Sequence, residues 1–423
     1  MKKFLLASSI ILLFISGAFD IYGGGENITV TQDSVLHGTF GSVTITSSGT
    51  VDDYLEVNAT EARMRSLKVE GSYVKVFGGE VTGATSHGVH IYNSDNLVKN
   101  VFIENMFVHN NVTENGNAPQ CTGTGSWGSG IKIQKGAENI TIKNNYVYDN
   151  CGEGIAATRG VNIVVEGNYV KDNYSINIYL DNSPYSEANS NIVWCTGIMI
   201  RNNQRPAGIA IAEEYYAGWG TQRHDNRVVD NYIQDCHNGV ISLVSEISTG
   251  AEVRLLVSGN IISNSIGRSI SMSTKNVDVI VQNNLIEKAV YVALNTGITL
   301  INNVVAPVTR IPIVPPVIGS VTVTPSSIPS ITPTRTNTSI PTATRTVTAT
   351  RTATATRTAT ATRTATATRT QTPTATPSPI FTSTKTSTPT VTPTGTIIPP
   401  TPTKTKICLP VSVGIEIVGY FCY

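Results

Sequence analysis

ENITIKNNYVYDNCGEGIAATRGVNIVVEGNYVKDNYSINIYLDN, residues 138–182, writes one pattern twice. Ile140-Thr141-Ile142 and then Asn144-Asn145-Tyr146-Val147-Tyr148-Asp149-Asn150 return as Ile163-Val164-Val165 and then Gly167-Asn168-Tyr169-Val170-Lys171-Asp172-Asn173, 23 residues on. Each copy alternates apolar and polar residues over a few positions and stops at Asn, Asp or Gly, which is the signature of short strands joined by tight turns. A unit of that length is too short for a domain and fits one coil of a stacked β-solenoid, each coil lying parallel on the last at about 4.8 Å.

Outward from this stretch, anchor asparagines preceded by Asn, Gly, Asp or Glu recur at Asn105, Asn145, Asn168, Asn203, Asn231, Asn260, Asn284 and Asn303. The short gaps set a coil of about 19–24 residues, and the long ones predict insertions near 111–129, 183–195 and 213–225. Stacked coils would place the anchors at one turn, their amides bonding along the ladder. His37–Thr50, an alternating run bounded by Gly and Ser, reads as part of the N-terminal cap and first coils.

The anchors and the Gly-Ile-x-Ile type strands of the central coils resemble the pectin-lyase-like superfamily over about residues 25–308. The resemblance implies an all-β protein, a right-handed single-stranded parallel β-helix. It says little of chemistry, because that scaffold hosts lyases, hydrolases, epimerases, adhesins and phage tailspikes.

Lys2-Lys3, an apolar run from Phe4 to Phe14 and Ser16-Gly17-Ala18 form a secretory signal peptide, so residues 1–18 are set aside from the fold and export is expected. No other apolar run approaches the ~20 residues of a spanning helix. The β-helix is expected over 19–310. Residues 311–407 are dominated by Thr, Pro, Ser and Ala, with Arg every six residues from Arg345 to Arg369, and predict a disordered stalk. Residues 408–423 form a short apolar segment.

The chain's net charge of +1 hides a split. Residues 320–407 hold nine bases and no acid, and Glu416 follows, so residues 1–319 carry −7. An acidic folded body excludes a nucleic-acid binder of the usual kind. Cys121, Cys151, Cys195, Cys236, Cys408 and Cys422 contain no CxxC pair, so export favours disulfides over zinc, and Cys408–Cys422 would close a small loop.

Aligned on the strand after each second turn, Ile131, Ile155, Ile178 and Ile209 form one inward column, and Ile133, Ala157, Leu180 and Ile211 a second. Between them Lys132, Ala156, Tyr179 and Ala210 point out, with His90 one coil earlier. Gln134, Thr158, Asp181 and Ala212 follow, and Lys135, Arg159, Asn182 and Glu213 occupy the next turn. Glu153 stands at a strand entrance. Trp127, Trp194, Trp219 and Tyr215, placed on the insertions, would stack sugar rings while Lys135, Gln134 and Tyr179 bind polar groups.

Two chemistries suit such a ledge. A lyase would use Lys132, Lys135 or Arg159 as base against a uronate. A hydrolase would use two of Asp181, Glu213 and Glu153, about 5–5.5 Å apart for retention or about 6.5–9.5 Å for inversion. Within the resemblance, the paired Asp and Gly-His-Gly set of polygalacturonases and the Arg-x-Pro-x-x-Arg signature of pectate lyases are missing. Ala156 and Thr158 stand where a Ca²⁺-dependent lyase would carry carboxylates, so Ca²⁺ has no clear ligand set and no metal residue is named. Asp149, Asp172 and Asp235 recur at one turn and are read as turn residues. The expectation is a secreted monomer that binds or cleaves an acidic polysaccharide or cell-surface glycan; the alternative is a non-catalytic surface adhesin or display rod.

Overall fold

The computed structural model describes residues 18–125, 127–214, 224–244, 253–272, 276–292, 297–308, 310, 313, 408–413 and 416–422. The proposed signal peptide, apart from Ala18, and the proposed stalk, apart from Ile313, lie outside them. The chain divides into Met1–Ser330 and Ile331–Tyr423.

In the first unit each coil lays down three short strands, and each strand pairs in parallel with its equivalent one coil away. Three sheets result. Sheet A stacks Val89–Ile91, Ser129–Ile133, Glu153–Thr158, Ile176–Asp181, Ala207–Glu213 and Val240–Val244. Sheet B includes Val98–Glu104, Ala137–Lys143, Val161–Glu166, Glu187–Asn189 and His224–Val229. Sheet C includes Phe107–His109, Tyr146–Tyr148, Tyr169–Lys171, Ile192–Trp194 and Tyr232–Gln234. At the N-terminal end Leu55–Val69 is long enough to pair with one strand of each sheet in turn. In the second unit Cys408–Val413 and Glu416–Cys422 form an antiparallel pair with Cys408 opposite Cys422.

The core is a stack of apolar layers. Ile131, Ile155, Ile178 and Ile209 meet in register, all fully buried, as do Ile133, Ala157, Leu180 and Ile211. Each buried Ile contributes roughly 2–3 kcal/mol relative to exposure. A one-residue slip would turn the whole column outward, so this pattern fixes the register.

The corner between sheets B and C carries the asparagine ladder. Asn145 donates through Nδ2 to Asn168 Oδ1 at 3.0 Å, and the chain continues through Asn191, Asn231, Asn260, Asn284 and Asn303. Each rung's other amide hydrogen finds a backbone carbonyl, as in Asn168 Nδ2 to Ile142 O at 2.8 Å, which leaves no buried donor idle. The residue before each rung has positive φ: Asn144, Gly167, Ser190, Asp230, Gly259, Asn283 and Asn302. Gly adopts that conformation freely and Asn and Asp at small cost.

Two expected anchors are therefore corrected. Asn203 lies outside the ladder, and Asn191 takes its place; Ser190 before it hid the signal. Asn105 is the positive-φ residue of its corner, and Met106 stands at the rung, its N–H donating to Asn145 Oδ1 at 3.0 Å. A second ladder, Asn111–Asn150–Asn173–Asn177, lines the corner between sheets C and A. Asp149 and Asp172 precede two of its rungs with positive φ, and Asp235 shares that backbone conformation, which is the expected turn role.

Disulfides join Cys121 to Cys151 and Cys195 to Cys236. The first ties the insertion that contains the small hairpin Gly116–Asn117 and Gln120–Cys121 to the wall beside sheet A. The insertion expected at 183–195 is instead regular coil, since Glu187–Asn189 and Ile192–Trp194 are strands of sheets B and C. The extra residues fall between Trp194 and Ala207.

Candidate functional site

The outward side of sheet A collects the polar side chains. Its central column is Lys68, His90, Lys132, Ala156, Tyr179, Ala210 and Ile241, each level with the next coil's member. Two positions on, Thr158 is level with Asp181 and Asp181 with Ala212. These columns are the ones read from the sequence, because the inward isoleucines leave the strand's alternation no freedom.

Lys132 is the cation at the centre. Its Nζ lies 3.5 Å from Glu153 Oε2, and the same oxygen accepts a 2.8 Å hydrogen bond from Ser129 Oγ. Ser129 is level with Glu153 on the neighbouring coil, and all three side chains are buried or nearly so. Burial leaves the pair little solvent to compete for it, so removing either partner would strand a charge.

Asp181 is 3% exposed. Burial, then the negative charge of Glu214, pushes its carboxyl up to about 8; the Glu214 N–H and the charge of Lys132 act the other way, and Glu153 adds a little more upward push. The Glu214 N–H reaches Asp181 Oδ1 at 3.4 Å and Asn182 Oδ1 at 3.0 Å. The Tyr179 hydroxyl is hydrogen-bonded to Glu214, and burial holds that phenol well above its ordinary value. Glu213 is level with Val244, one position beyond the Asp181 register, and is 1% exposed.

The N-terminal end of the same face holds His87 and His90, their rings 4.6 Å apart. The Ser129 N–H donates to His87 Nδ1 at 3.2 Å, and His90 Nε2 meets Gln134 Oε1 at 2.8 Å. Burial lowers both imidazoles, His87 to about 3, with the Lys132 charge contributing to each. One line of contacts thus runs from His87 through Ser129 and Glu153 to Lys132.

The other expected site residues scatter. Arg159 has positive φ at the turn between sheets A and B, its N–H on Asp181 O, and Lys135 is exposed one coil earlier. Trp127 is 51% exposed at the entrance to sheet A, with the Arg201 guanidinium 4.4 Å from its ring centre. Trp194 is on sheet C, level with Lys171 and Gln234, whose register removes it from the ledge. Lys171 covers its ring at 5.4 Å. Trp219 and Tyr215 lie outside the described residues. Sequence reading missed His87, Ser129 and Glu214 as members. His87 could have been found, since Thr85-Ser86-His87-Gly88-Val89-His90 puts a second imidazole beside the outward His90.

Among the described residues no group of three or more His, Cys, Asp and Glu side chains is placed to hold a metal ion, and no helix is long and apolar enough to cross a membrane.

A stacked parallel coil with asparagine ladders defines a class, and the sequence match agrees. The chain belongs to the right-handed β-helix family: the model described as "Right handed beta helix region" matches residues 66–211 and 111–286. In structure the chain is similar to PfbA, a surface adhesin of Streptococcus pneumoniae (13% identity, 68% of this chain and 82% of that one, TM-score 0.46). It is also similar to an alginate lyase from Paenibacillus sp. (13% identity, 66% and 99%, TM-score 0.45). A thermostable GH87 alpha-1,3-glucanase from Streptomyces thermodiastaticus is similar too (13% identity, 68% and 59%, TM-score 0.40). No curated protein matches the sequence. Likeness at this level leaves the chemistry to this chain's own residues.

Proposed function

We propose that the protein is secreted and binds an acidic polysaccharide along the outward side of sheet A, cleaving it by acid–base chemistry centred on Asp181. The observation that carries the reading is a buried carboxyl pushed up to about 8 next to a second carboxylate, Glu214, with Lys132 balancing charge nearby. An acid that keeps its proton near neutral pH can deliver it to a glycosidic oxygen as the C–O bond breaks. The partner carboxylate then takes a proton from the attacking water. Lys132, held 3.5 Å from Glu153, is engaged by a carboxylate and suits charge balance better than the lyase base. Lys135 and Arg159 on the adjoining turn supply positive charge for a polyanion.

One observation favours the non-catalytic reading, a surface adhesin or display rod. Ala156 and Ala210, although on the outward side, are fully buried, so they offer a ligand no surface of their own. Incubating the full-length secreted protein with acidic and neutral polysaccharides, with and without Ca²⁺, separates the readings. New reducing ends without ultraviolet absorbance of unsaturated uronates, lost in Asp181→Asn, support the acid–base reading. A rise in both signals moves the chemistry to β-elimination, and silence in both with glycan retained in a pull-down leaves the adhesin.

A further inference from the structure

An open part of this face, among the described residues, lies away from the carboxylates. A cleft of about 260 Å³ sits among the first coils, lined by Arg65, Lys68, Thr85, Ser86, His87 and His90 together with Ser66, Leu67 and Ala84. Its polar side chains are two cations, three hydroxyls and two imidazoles, with no carboxylate among them. Because the Ser129 N–H donates to His87 Nδ1, the proton of the neutral ring sits on Nε2 and makes it a donor. Lys68 is partly neutralised by Glu70 at 2.5 Å, whereas Arg65 is exposed and makes no ion pair among the described residues.

The cleft and the carboxylates share one face. The column Lys68, His90, Lys132, Ala156 and Tyr179 crosses four strand spacings, about 19 Å at ~4.8 Å each. A lining rich in donors, with a cation that no carboxylate neutralises, suits an oxyanion better than a neutral hydroxylated ring.

We propose that this cleft is a second subsite that holds one oxyanion of a sugar chain, a carboxylate or a sulfate ester, while the same chain reaches Asp181 along the sheet. The inference deepens the polysaccharide reading and rests on it. It fixes two properties of the ligand: a negative charge at least about 19 Å from the reacting bond, and a chain long enough to bridge that span.

Calorimetry on the full-length protein tests it, with Asp181→Asn as background to prevent turnover. The probes are hexagalacturonate, sulfated maltohexaose, maltohexaose and digalacturonate. Arg65→Gln should weaken the charged hexasaccharide about tenfold and leave maltohexaose unchanged, with Arg65→Lys restoring most of the loss, and digalacturonate, too short to bridge the span, should bind more weakly than hexagalacturonate. Whichever charged hexasaccharide shows this dependence identifies the oxyanion. Arg65 is exposed, so its substitution leaves the coil intact. Charged hexasaccharides that bind equally well to Arg65→Gln overturn the subsite and leave the polysaccharide reading standing. No binding of either charged hexasaccharide to the unsubstituted cleft overturns both.

Discussion

The corner between sheets B and C and the outward side of sheet A are built on the same coils and obey opposite rules. At the corner one residue type repeats, rung after rung, and each side chain bonds the next: Asn145, Asn168, Asn191, Asn231, Asn260, Asn284, Asn303. On sheet A the equivalent positions are Lys68, His90, Lys132, Ala156, Tyr179, Ala210 and Ile241, and no one residue type runs through them. A position that every coil fills alike is held by the requirement to stack. Where neighbouring coils differ, stacking leaves the choice free, and charge and chemistry can be placed there.

The comparison breaks most visibly at Asp181. Asp181→Asn should lower cleavage about a thousandfold while leaving the melting temperature unchanged or higher, because it removes a buried ionisable group and no rung. A full loss of activity with a collapsed melting transition would instead place Asp181 with the structural residues.

The mirror experiment is Asn168→Ala. Asn168 Oδ1 accepts from the Asn145 backbone and side chain, and its Nδ2 reaches Ile142 O and Asn191 Oδ1. Removing it orphans buried partners on two coils and should cost about 2–4 kcal/mol, read by chemical denaturation. Asn303→Ala, at the part-buried end of the ladder, should cost about 1 kcal/mol or less. Equal effects at the two rungs would contradict a ladder whose strength comes from burial.

The pH dependence sharpens the same contrast. A carboxyl raised to about 8 in the folded chain binds its proton more tightly there than in the unfolded chain, whose ordinary value is 3.8. Stability therefore falls as pH rises from about 4 to about 8 and is flat above, and activity should lose its acid on an alkaline limb near 8. Asp181→Asn should flatten the stability curve; an unchanged curve would show that another group titrates. Asn168→Ala should shift the curve down without altering its shape.

The smallest effect belongs to the N-terminal coils. His37 bonds Glu61 at 2.7 Å and Asp20 at 3.1 Å, and these hydrogen bonds, Glu61 first, raise its pKa above 6.5. Its contribution is present below the ordinary value and is lost as pH rises through the raised one. Amide-exchange protection over Phe19–Gly24 should fall on that rise in the native protein and be pH-independent in His37→Gln.

The central coils were legible because burial has a period. Apolar residues two apart, Ile131 and Ile133, Ile155 and Ala157, Ile178 and Leu180, Ile209 and Ile211, define which side faces in and therefore which residues face out, down to the level pairing of Thr158 with Asp181. Asn191 is hidden in the sequence because Ser190 precedes it where the other anchors follow Asn, Gly, Asp or Glu, while the physical requirement is a positive φ that Ser190 also meets. Trp194 was misplaced because a gap in the anchors looked like a loop; with Asn191 restored, residues 187–194 are two ordinary strands.

The sequence by itself determined the coil, its period, the inward and outward columns and the turn chemistry, since these follow from local alternation and from residues that tolerate unusual backbone. Only the tertiary structure decided that Lys132 is held by Glu153, that Glu214 is the carboxylate acting first on Asp181, and that the open cleft lies near Arg65 and His87. Those facts depend on where long side chains turn and on what shields them from water, and neither has a period along the chain.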